Sequence, residues 1–323
     1  MKKNLLASTI LAASTGFAAA EVTVGGSATM GVTYTHNAPN EFAFVSNIEI
    51  EFTASGETDG GLSFGGTVLA DEAVDGSAGT AGSVFISGAF GKLSMGDVDG
   101  AAEFVVGDLD GVGYDGLGDL NENAYFANGE LATGLNELAL EADPDAEDLL
   151  GLRPTARYEY TTGSLTFALS IDNPGNNVAG VFEDIYALGA KYEVDGYSLA
   201  LGVESVKAGG ETLTHVIAGA SATFAGVNVK AVYGRASDVG FTQYGLSATY
   251  EMDAVGVTGY YRVEDFDAIG TDPASKGTVI GLGASYDLGG GASILGGVAR
   301  AKLTEAGVSE TQTLADLGLS FEF

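Results

Sequence analysis

The sequence contains no cysteine, only two histidines and five prolines, and just 13 lysines and arginines among its 323 residues. Without cysteine, a disulfide framework, a cysteine-rich zinc site and a thiol nucleophile are all excluded. The shortage of basic residues argues against a nucleic-acid partner, because phosphate binding requires clustered lysine and arginine. Few prolines beside 50 glycines indicate many tight reversals of the chain without kinks.

The sequence combines many acidic residues with many apolar ones. Aspartate and glutamate number 44 and give a formal net charge of −31, yet 46% of the residues are hydrophobic and the mean hydropathy is +0.19. A disordered acidic chain would contain few apolar residues, and a soluble acidic enzyme rarely has a positive hydropathy. Both classes are therefore disfavoured, and cations are the natural counter-species.

The first twenty residues have the pattern of an export signal. Two lysines precede an apolar run over residues 5–13, and residues 18–20 are three alanines that form a small-residue cleavage site. We expect residues 1–20 to be a cleaved signal peptide and residues 21–323 to be the mature domain. The alternative, an N-terminal anchor helix, would need about twenty apolar residues.

The mature sequence alternates with a period of two. From Val22 to Tyr34, apolar residues at even positions alternate with polar or small residues at odd positions, and Glu49 and Glu51 lie on the polar face of the next such segment. No later stretch is apolar enough for a membrane-spanning helix. If the protein lies in a membrane it must be a closed β-barrel, since only helices and barrels satisfy every backbone group in hydrocarbon.

Sixteen strands of this kind can be counted, typically about ten residues long, the length of a tilted strand that crosses a bilayer. Besides the segments around 22–34 and 42–53, they are expected near residues 62–71, 82–90, 92–97, 152–161, 164–171, 184–194, 197–207, 213–223, 227–236, 240–250, 256–264, 278–288, 292–302 and 313–323.

The connections alternate in length. Short reversals are expected at Gly91, 162–163, 195–196, 225–226, 253–254 and 289–291, and longer acidic links at 72–81, 172–183, 265–277 and 303–312. Short turns on one side and long loops on the other are typical of a transmembrane barrel. The predicted fold class is therefore all-β, a sixteen-stranded antiparallel transmembrane barrel. A soluble β-solenoid or sandwich explains the alternation but not the asymmetry of the connections.

Aromatic residues support the membrane interpretation. The chain ends on alternating Leu317, Leu319, Phe321 and Phe323, and tyrosines recur near strand ends on the apolar face, where an interfacial belt requires them. These tyrosines are Tyr158, Tyr160, Tyr186, Tyr192, Tyr233, Tyr244, Tyr250, Tyr261 and Tyr286.

One long insertion, residues 98–150, interrupts the alternating pattern of strands and turns. It is dense in Asp, Glu and Gly but keeps apolar residues that need burial, so we expect an ordered loop. The interior of a barrel of sixteen strands is too wide for side chains to fill, and an inward loop would narrow it. The candidate carboxylates of this constriction are Glu103, Asp108, Asp110, Asp115, Asp119 and Glu122. The alternative for each is a solvated loop charge outside the barrel.

Evidence for catalysis or for a defined metal site is weak. Residues 108–111 and 119–122 offer oxygen ligands suited to Ca²⁺, but their spacing does not match an EF-hand. His36 and His215 lie on different segments with no nucleophile or metal-ligand spacing near them. The sequence therefore predicts no enzyme.

Several segments resemble the Rhodobacter-type general porins of the outer membrane. They are EVTVGGSATMGVTY at the mature start, FISGAFGKLSMGD at 85–97, GDLDGVGY at 107–114, GLGASYDLGGGASILGGVA at 281–299 and ADLGLSFEF at the end. The resemblance covers essentially the whole mature chain. It implies a homotrimeric outer-membrane barrel of a Gram-negative bacterium whose third loop folds into the lumen and binds calcium.

The resemblance also implies roles for individual residues. Glu103, Asp108 and Asp119 fall on acidic positions of the inward loop, and Glu103, Asp110 and Asp119 are the candidate calcium ligands. The opposite wall departs from the family, because Asn47 and Glu49 stand where arginines are expected.

The predicted function is general diffusion of small hydrophilic solutes and ions. An acidic constriction between low-dielectric walls concentrates cations and repels anions, which predicts a preference for cations. The residues expected on the pore wall are Asn47, Glu49, Glu51, Arg157 and Arg262. Two alternatives stay open: a solute-specific outer-membrane channel, and a non-channel calcium-binding β-rich surface protein.

Overall fold

A computed structural model describes residues 20–70, 81–114, 116–128, 131, 155–172, 182–208, 211–268 and 273–323. Most of the predicted signal peptide, residues 1–19, lies outside the described residues. So do Asp115 and much of the predicted constriction loop, residues 129–130 and 132–150. In the described part of the chain, no helix is long and apolar enough to cross a membrane.

Sixteen antiparallel strands form one closed barrel, which confirms the predicted fold class. Each strand pairs with its neighbours in the sequence, and β1 closes the ring by pairing with β16. The strands are β1 Glu21–Thr35, β2 Phe42–Glu57, β3 Ser63–Leu69, β4 Ser83–Gly88, β5 Gly91–Gly96, β6 Thr155–Thr162, β7 Leu165–Asp172, β8 Phe182–Val194, β9 Tyr197–Ala208, β10 Glu211–Phe224, β11 Val227–Ala236, β12 Phe241–Met252, β13 Val255–Phe266, β14 Ser275–Gly289, β15 Ala292–Glu305 and β16 Val308–Glu322. A short helix, α1, spans Ala101–Val106, and a 3₁₀ turn spans Ser237–Val239.

The period of two separates an apolar outer face from an inner face that is polar or small except where it packs against the loop, as at Ile217 and Phe241. Phe44 is 94% exposed and Leu188 is 63% exposed on the outer face, whereas the inward-facing Gln243 is fully buried. Eight of the nine tyrosines of the predicted belt are exposed on the outer face, Tyr158 being the exception. An apolar exterior around a closed ring of hydrogen-bonded strands is the arrangement that allows a β-protein to span the hydrocarbon of a membrane.

Most predicted strand boundaries and reversals are confirmed to within a few residues. Asp195, Ala225 and Asp253 all adopt positive φ in the predicted hairpins. The predicted long link at 303–312 is wrong, because β15 and β16 continue through it and are joined by two residues, Ala306 and Gly307. The pairing of the two strands continues past Leu303 to Glu305, which stands opposite Val308. The paired strands therefore extend beyond the level at which the apolar outer face ends.

Glycines on the inner wall form a track for the chain that follows β5. A Cβ on Gly202 would lie 2.7 Å from the Cβ of Ala102, and one on Gly297 would lie 2.7 Å from the amide nitrogen of Gly113. Only glycine allows another backbone to approach a strand so closely. We call this set the glycine track: Gly31, Gly189, Gly202, Gly219, Gly245, Gly283, Gly297 and Gly318.

Filling the track tests whether it holds the loop. In Gly189→Val the new side chain would overlap the carbonyl oxygen of Ala101, so α1 must move off the wall. We expect the free energy of unfolding in urea to fall by about 2 kcal/mol, with a changed single-channel conductance. The control is Gly259→Val on the outer face, where the nearest atom to a Cβ is 3.5 Å away. Equal effects of the two substitutions would contradict the packing.

Candidate functional site: the constriction inside the barrel

The chain between β5 and β6 turns into the barrel, which confirms the predicted inward loop for its described residues. Helix α1 packs against the inner faces of β7, β8, β9 and β10. Residues 109–114 then follow the glycine track across β12, β14, β15 and β16 to β1, where Tyr114 lies against Gly31 and Gly318. The described part of the loop therefore packs along β7–β10, β12 and β14–β16 to β1, and among the described residues the side of the lumen toward β2–β5 is left open.

Polar side chains of the barrel wall bind the backbone amides of the loop. Ser170 Oγ accepts from the amide of Ala101 at 2.9 Å, and Asp316 Oδ2 accepts from the amide of Tyr114 at 2.7 Å. Ser247 Oγ accepts from the amide of Asp110 at 3.1 Å. Since buried amides must find an acceptor, these wall residues fix the position of the loop.

A fully buried cluster, Glu204, His215 and Gln243, holds the returning part of the loop. The Glu204 carboxylate accepts from the amides of Phe126 and Ala127 at 3.0 and 3.1 Å and contacts His215 Nδ1 at 2.8 Å. Gln243 pairs with both the amide and the carbonyl of Ala124, at 2.9 and 2.7 Å.

This cluster has a defined proton arrangement. Gln243 Nε2 donates to a carbonyl and also lies 3.3 Å from His215 Nε2, so His215 Nε2 is the acceptor and Nδ1 carries the proton toward Glu204. Sequence reasoning missed these three residues. The period of two marks them as inward-facing, but nothing in the sequence pairs them with the loop.

The open side of the lumen begins where β5 ends. Asp97, Asp99, Lys92 and Arg157 line a cavity of about 330 Å³ between the start of the loop and the wall of β3–β6. Arg157 donates to the carbonyl oxygen of Asp99 at 2.8 Å and stacks 4.0 Å over the ring of Phe104. The Asp99 side chain is 61% exposed and so faces the path. Asp97 and Asp99 were not predicted, although Asp97 directly follows β5 and Asp99 lies two positions further on.

The predicted loop carboxylates differ in their surroundings. Asp108 accepts from the amide of Asn123 at 2.7 Å, and Asp110 accepts from Thr249 at 2.8 Å. Asp119 adopts a positive φ of 54°, and the amide of Glu122 donates to its carbonyl oxygen at 2.9 Å. Their roles in the constriction stay predictions, and Asp115 lies outside the described residues.

Glu103 is the most perturbed of these carboxylates. Burial, followed by repulsion from Asp99 and Asp108, raises the pKa of Glu103 to about 9. A carboxyl with such a pKa is protonated at neutral pH. Its neighbour Asp99, by contrast, has an exposed side chain.

The predicted wall residues separate into two groups. Asn47, Glu49 and Glu51 lie on the inward face of β2 beside the open path, where Asn47 donates to Glu49 at 3.1 Å. Arg157 and Arg262 also point inward, but they are only 7% and 2% exposed. Arg262 lies beneath the loop and is paired with Glu264 at 2.5 Å. The open wall of β2 is thus acidic, while the inward arginines are covered.

Among the described residues, no three histidine, aspartate or glutamate side chains come together in a group that could hold a metal ion. Of the predicted ligands, Asp110 is bound by Thr249, and Glu103 lies in a setting that favours its protonated form. The calcium ligands Glu103, Asp110 and Asp119 stay a prediction from the family resemblance.

Solved structures with a similar fold are porins. A porin structure refined at 1.8 Å resolution superimposes with a TM-score of 0.76 at 33% identity, and it covers 94% of this chain and all of its own. An anion-selective porin from Comamonas acidovorans has a TM-score of 0.67 at 18% identity with the same coverage. The second likeness concerns the fold alone.

Sequence comparison gives the family. The profile of the Gram-negative porins matches residues 7–306. The porin of Rhodobacter capsulatus is 36% identical over 94% of this chain and 100% of its own length. With a closed sixteen-stranded barrel and an inward loop already in place, the chain belongs to the Gram-negative porin family, whose members are channels of the outer membrane.

Proposed function

We propose that this porin is a general-diffusion channel for small hydrophilic solutes and ions, with a preference for cations. The observation that carries the proposal is the presence of carboxylates on both sides of the open path. Asp97 and Asp99 lie on the loop side, and Glu49 and Glu51 lie on the wall of β2. Residues 1–20 are the export signal in this proposal.

The carboxylates on the two sides of the open path both attract cations. A water-filled constriction surrounded by low-dielectric strands focuses the field of its wall charges, which raises the local concentration of counter-ions. Lys92 is the one described basic residue at this cavity with substantial exposure, and it lies 3.6 Å from Glu159. The remaining field at the constriction is therefore negative and favours cations.

The wall carboxylates provide the direct test. Glu49→Gln/Glu51→Gln removes two charges from the path while keeping side-chain size. We expect the K⁺ to Cl⁻ permeability ratio, measured as a reversal potential in a KCl gradient across a planar bilayer, to fall by at least about twofold.

The matched control is Glu251→Gln/Glu322→Gln, which removes two exposed carboxylates at the rim near the chain ends. This pair should leave the ratio almost unchanged. An anion-selective wild type, or equal effects of the two pairs, would refute the proposed cation preference.

We further propose that the protein is a homotrimer joined through the short strands of the barrel. Strands β3, β4 and β5 have 7, 6 and 6 residues, whereas about 9–11 are needed to cross the membrane. A groove of about 1380 Å³ runs along this face, with Phe64, Val84 and Met95 in its lining. A second copy of the chain would cover backbone that hydrocarbon leaves unsatisfied.

The oligomer can be tested by placing one charge on either face. Val84→Arg lies on the short-strand face, and Leu246→Arg is exposed on the opposite part of the barrel. Native mass spectrometry in mild detergent should give trimers for the wild type and for Leu246→Arg, and monomers for Val84→Arg. A monomeric wild type, or trimers that survive Val84→Arg, would contradict this interface.

A further inference from the structure

The outward face of the barrel has a charge distribution opposite to that of the whole chain. Seven charged side chains point outward from the described strands, and five of them are basic although acids outnumber bases more than threefold in the sequence. All seven lie in the half of their strands away from the chain termini. They are Asp184, Lys207, Arg235, Asp265, Lys276, Arg300 and Lys302.

Three of the five basic residues form a cluster on adjacent strands. Lys276 on β14 stands opposite Thr304, and Lys302 on β15 stands opposite Thr278, so the two lysines are diagonal neighbours on one face. Arg300 lies two positions before Lys302 on β15 and also points outward. Hydroxyl side chains surround them. We call this set the basic patch: Lys276, Thr278, Arg300, Lys302, Thr304, Thr311 and Thr313.

The basic patch lies at the boundary of the apolar band. Ile280 stands directly opposite Arg300 and is 57% exposed, and Val298, two positions before Arg300, is 43% exposed. The outer face therefore changes from aliphatic to basic within one pair of residues. This change places the patch at the level of the lipid headgroups, because charges are excluded from the hydrocarbon.

The charge of the patch is largely uncompensated. Lys276 donates to Asp265 at 2.9 Å. Within the described residues, neither Arg300 nor Lys302 has a carboxylate at ion-pair distance, and all three basic side chains are exposed. The outward faces of β14, β15 and β16 contain no acidic residue at all along their described lengths. An anionic group from outside the chain is the missing partner.

We propose that the basic patch binds the phosphate groups of an anionic lipid in the outward-facing leaflet. Arginine and lysine supply charge-assisted hydrogen bonds to phosphate oxygens, and the threonine hydroxyls supply further donors. The acyl chains of the same molecule lie along the aliphatic band that contains Ile280 and Val298. A free anion in solution would gain only the first of these contacts, so the lipid is the ligand that the whole surface fits.

The test measures lipid binding to detergent-solubilised full-length protein by native mass spectrometry. The probes are phosphatidic acid, which carries a phosphate monoester, and phosphatidylcholine, which has no net charge. Arg300→Gln/Lys302→Gln should weaken phosphatidic acid binding about tenfold or more, since each basic residue near a membrane surface contributes to attraction of anionic lipid. Binding of phosphatidylcholine should not change.

The matched control is Lys207→Gln/Arg235→Gln, which removes two outward basic residues that lie on β9 and β11, away from the basic patch. This pair should alter binding less than about twofold. Equal losses for the two pairs, or equal binding of both lipids by the wild type, would overturn the proposal. Competition by millimolar inorganic phosphate would assign the patch to a free anion instead. Unchanged heat-modifiable gel migration confirms that each variant still forms a barrel.

Discussion

The structure depends on fixing a long polar loop against the inside of a barrel. The loop brings backbone amides into contact with the wall, and each buried amide needs an acceptor. Two devices meet this need. The glycine track lets the loop backbone lie against the strands, and Ser170, Glu204 and Asp316 accept its amide hydrogens. The described part of the loop therefore lies on one side of the lumen, and the proposed water path runs along the other.

The charged side chains of the barrel fall into three groups according to their position relative to the loop and the lumen. Carboxylates that serve the loop, such as Glu204, are buried and have hydrogen-bond partners. Carboxylates on the open side of the lumen, such as Glu49 and Asp99, are those that the proposed function assigns to passing ions. Of the described basic side chains, Arg262 is covered within the barrel, Lys92 is inward and exposed, and five lie on the outer face. This distribution agrees with the proposed negative pore and basic outer rim of a chain with net charge −31.

The sequence predicts the barrel well and the site only in part. A period of two directly reports which face of a strand is wet, so strand number, order and the inward position of Glu49 follow from the pattern. The prediction of a long link at 303–312 is wrong because hydropathy marks the membrane and not the end of the paired strands, which continue past the apolar band. Glu204 and Gln243 could not be found, because their partners are backbone amides about 80 to 120 positions away.

The most direct test of the central claim uses the absence of native cysteine. Asp99→Cys places a thiol on the loop beside the proposed path, and Leu188→Cys places one on the lipid face. Single channels in planar bilayers are exposed to a charged, membrane-impermeant methanethiosulfonate reagent. Stepwise loss of current for Asp99→Cys, with no change for Leu188→Cys, is the predicted result. A current through Asp99→Cys that the reagent leaves unchanged would mean that the loop does not border the conducting path.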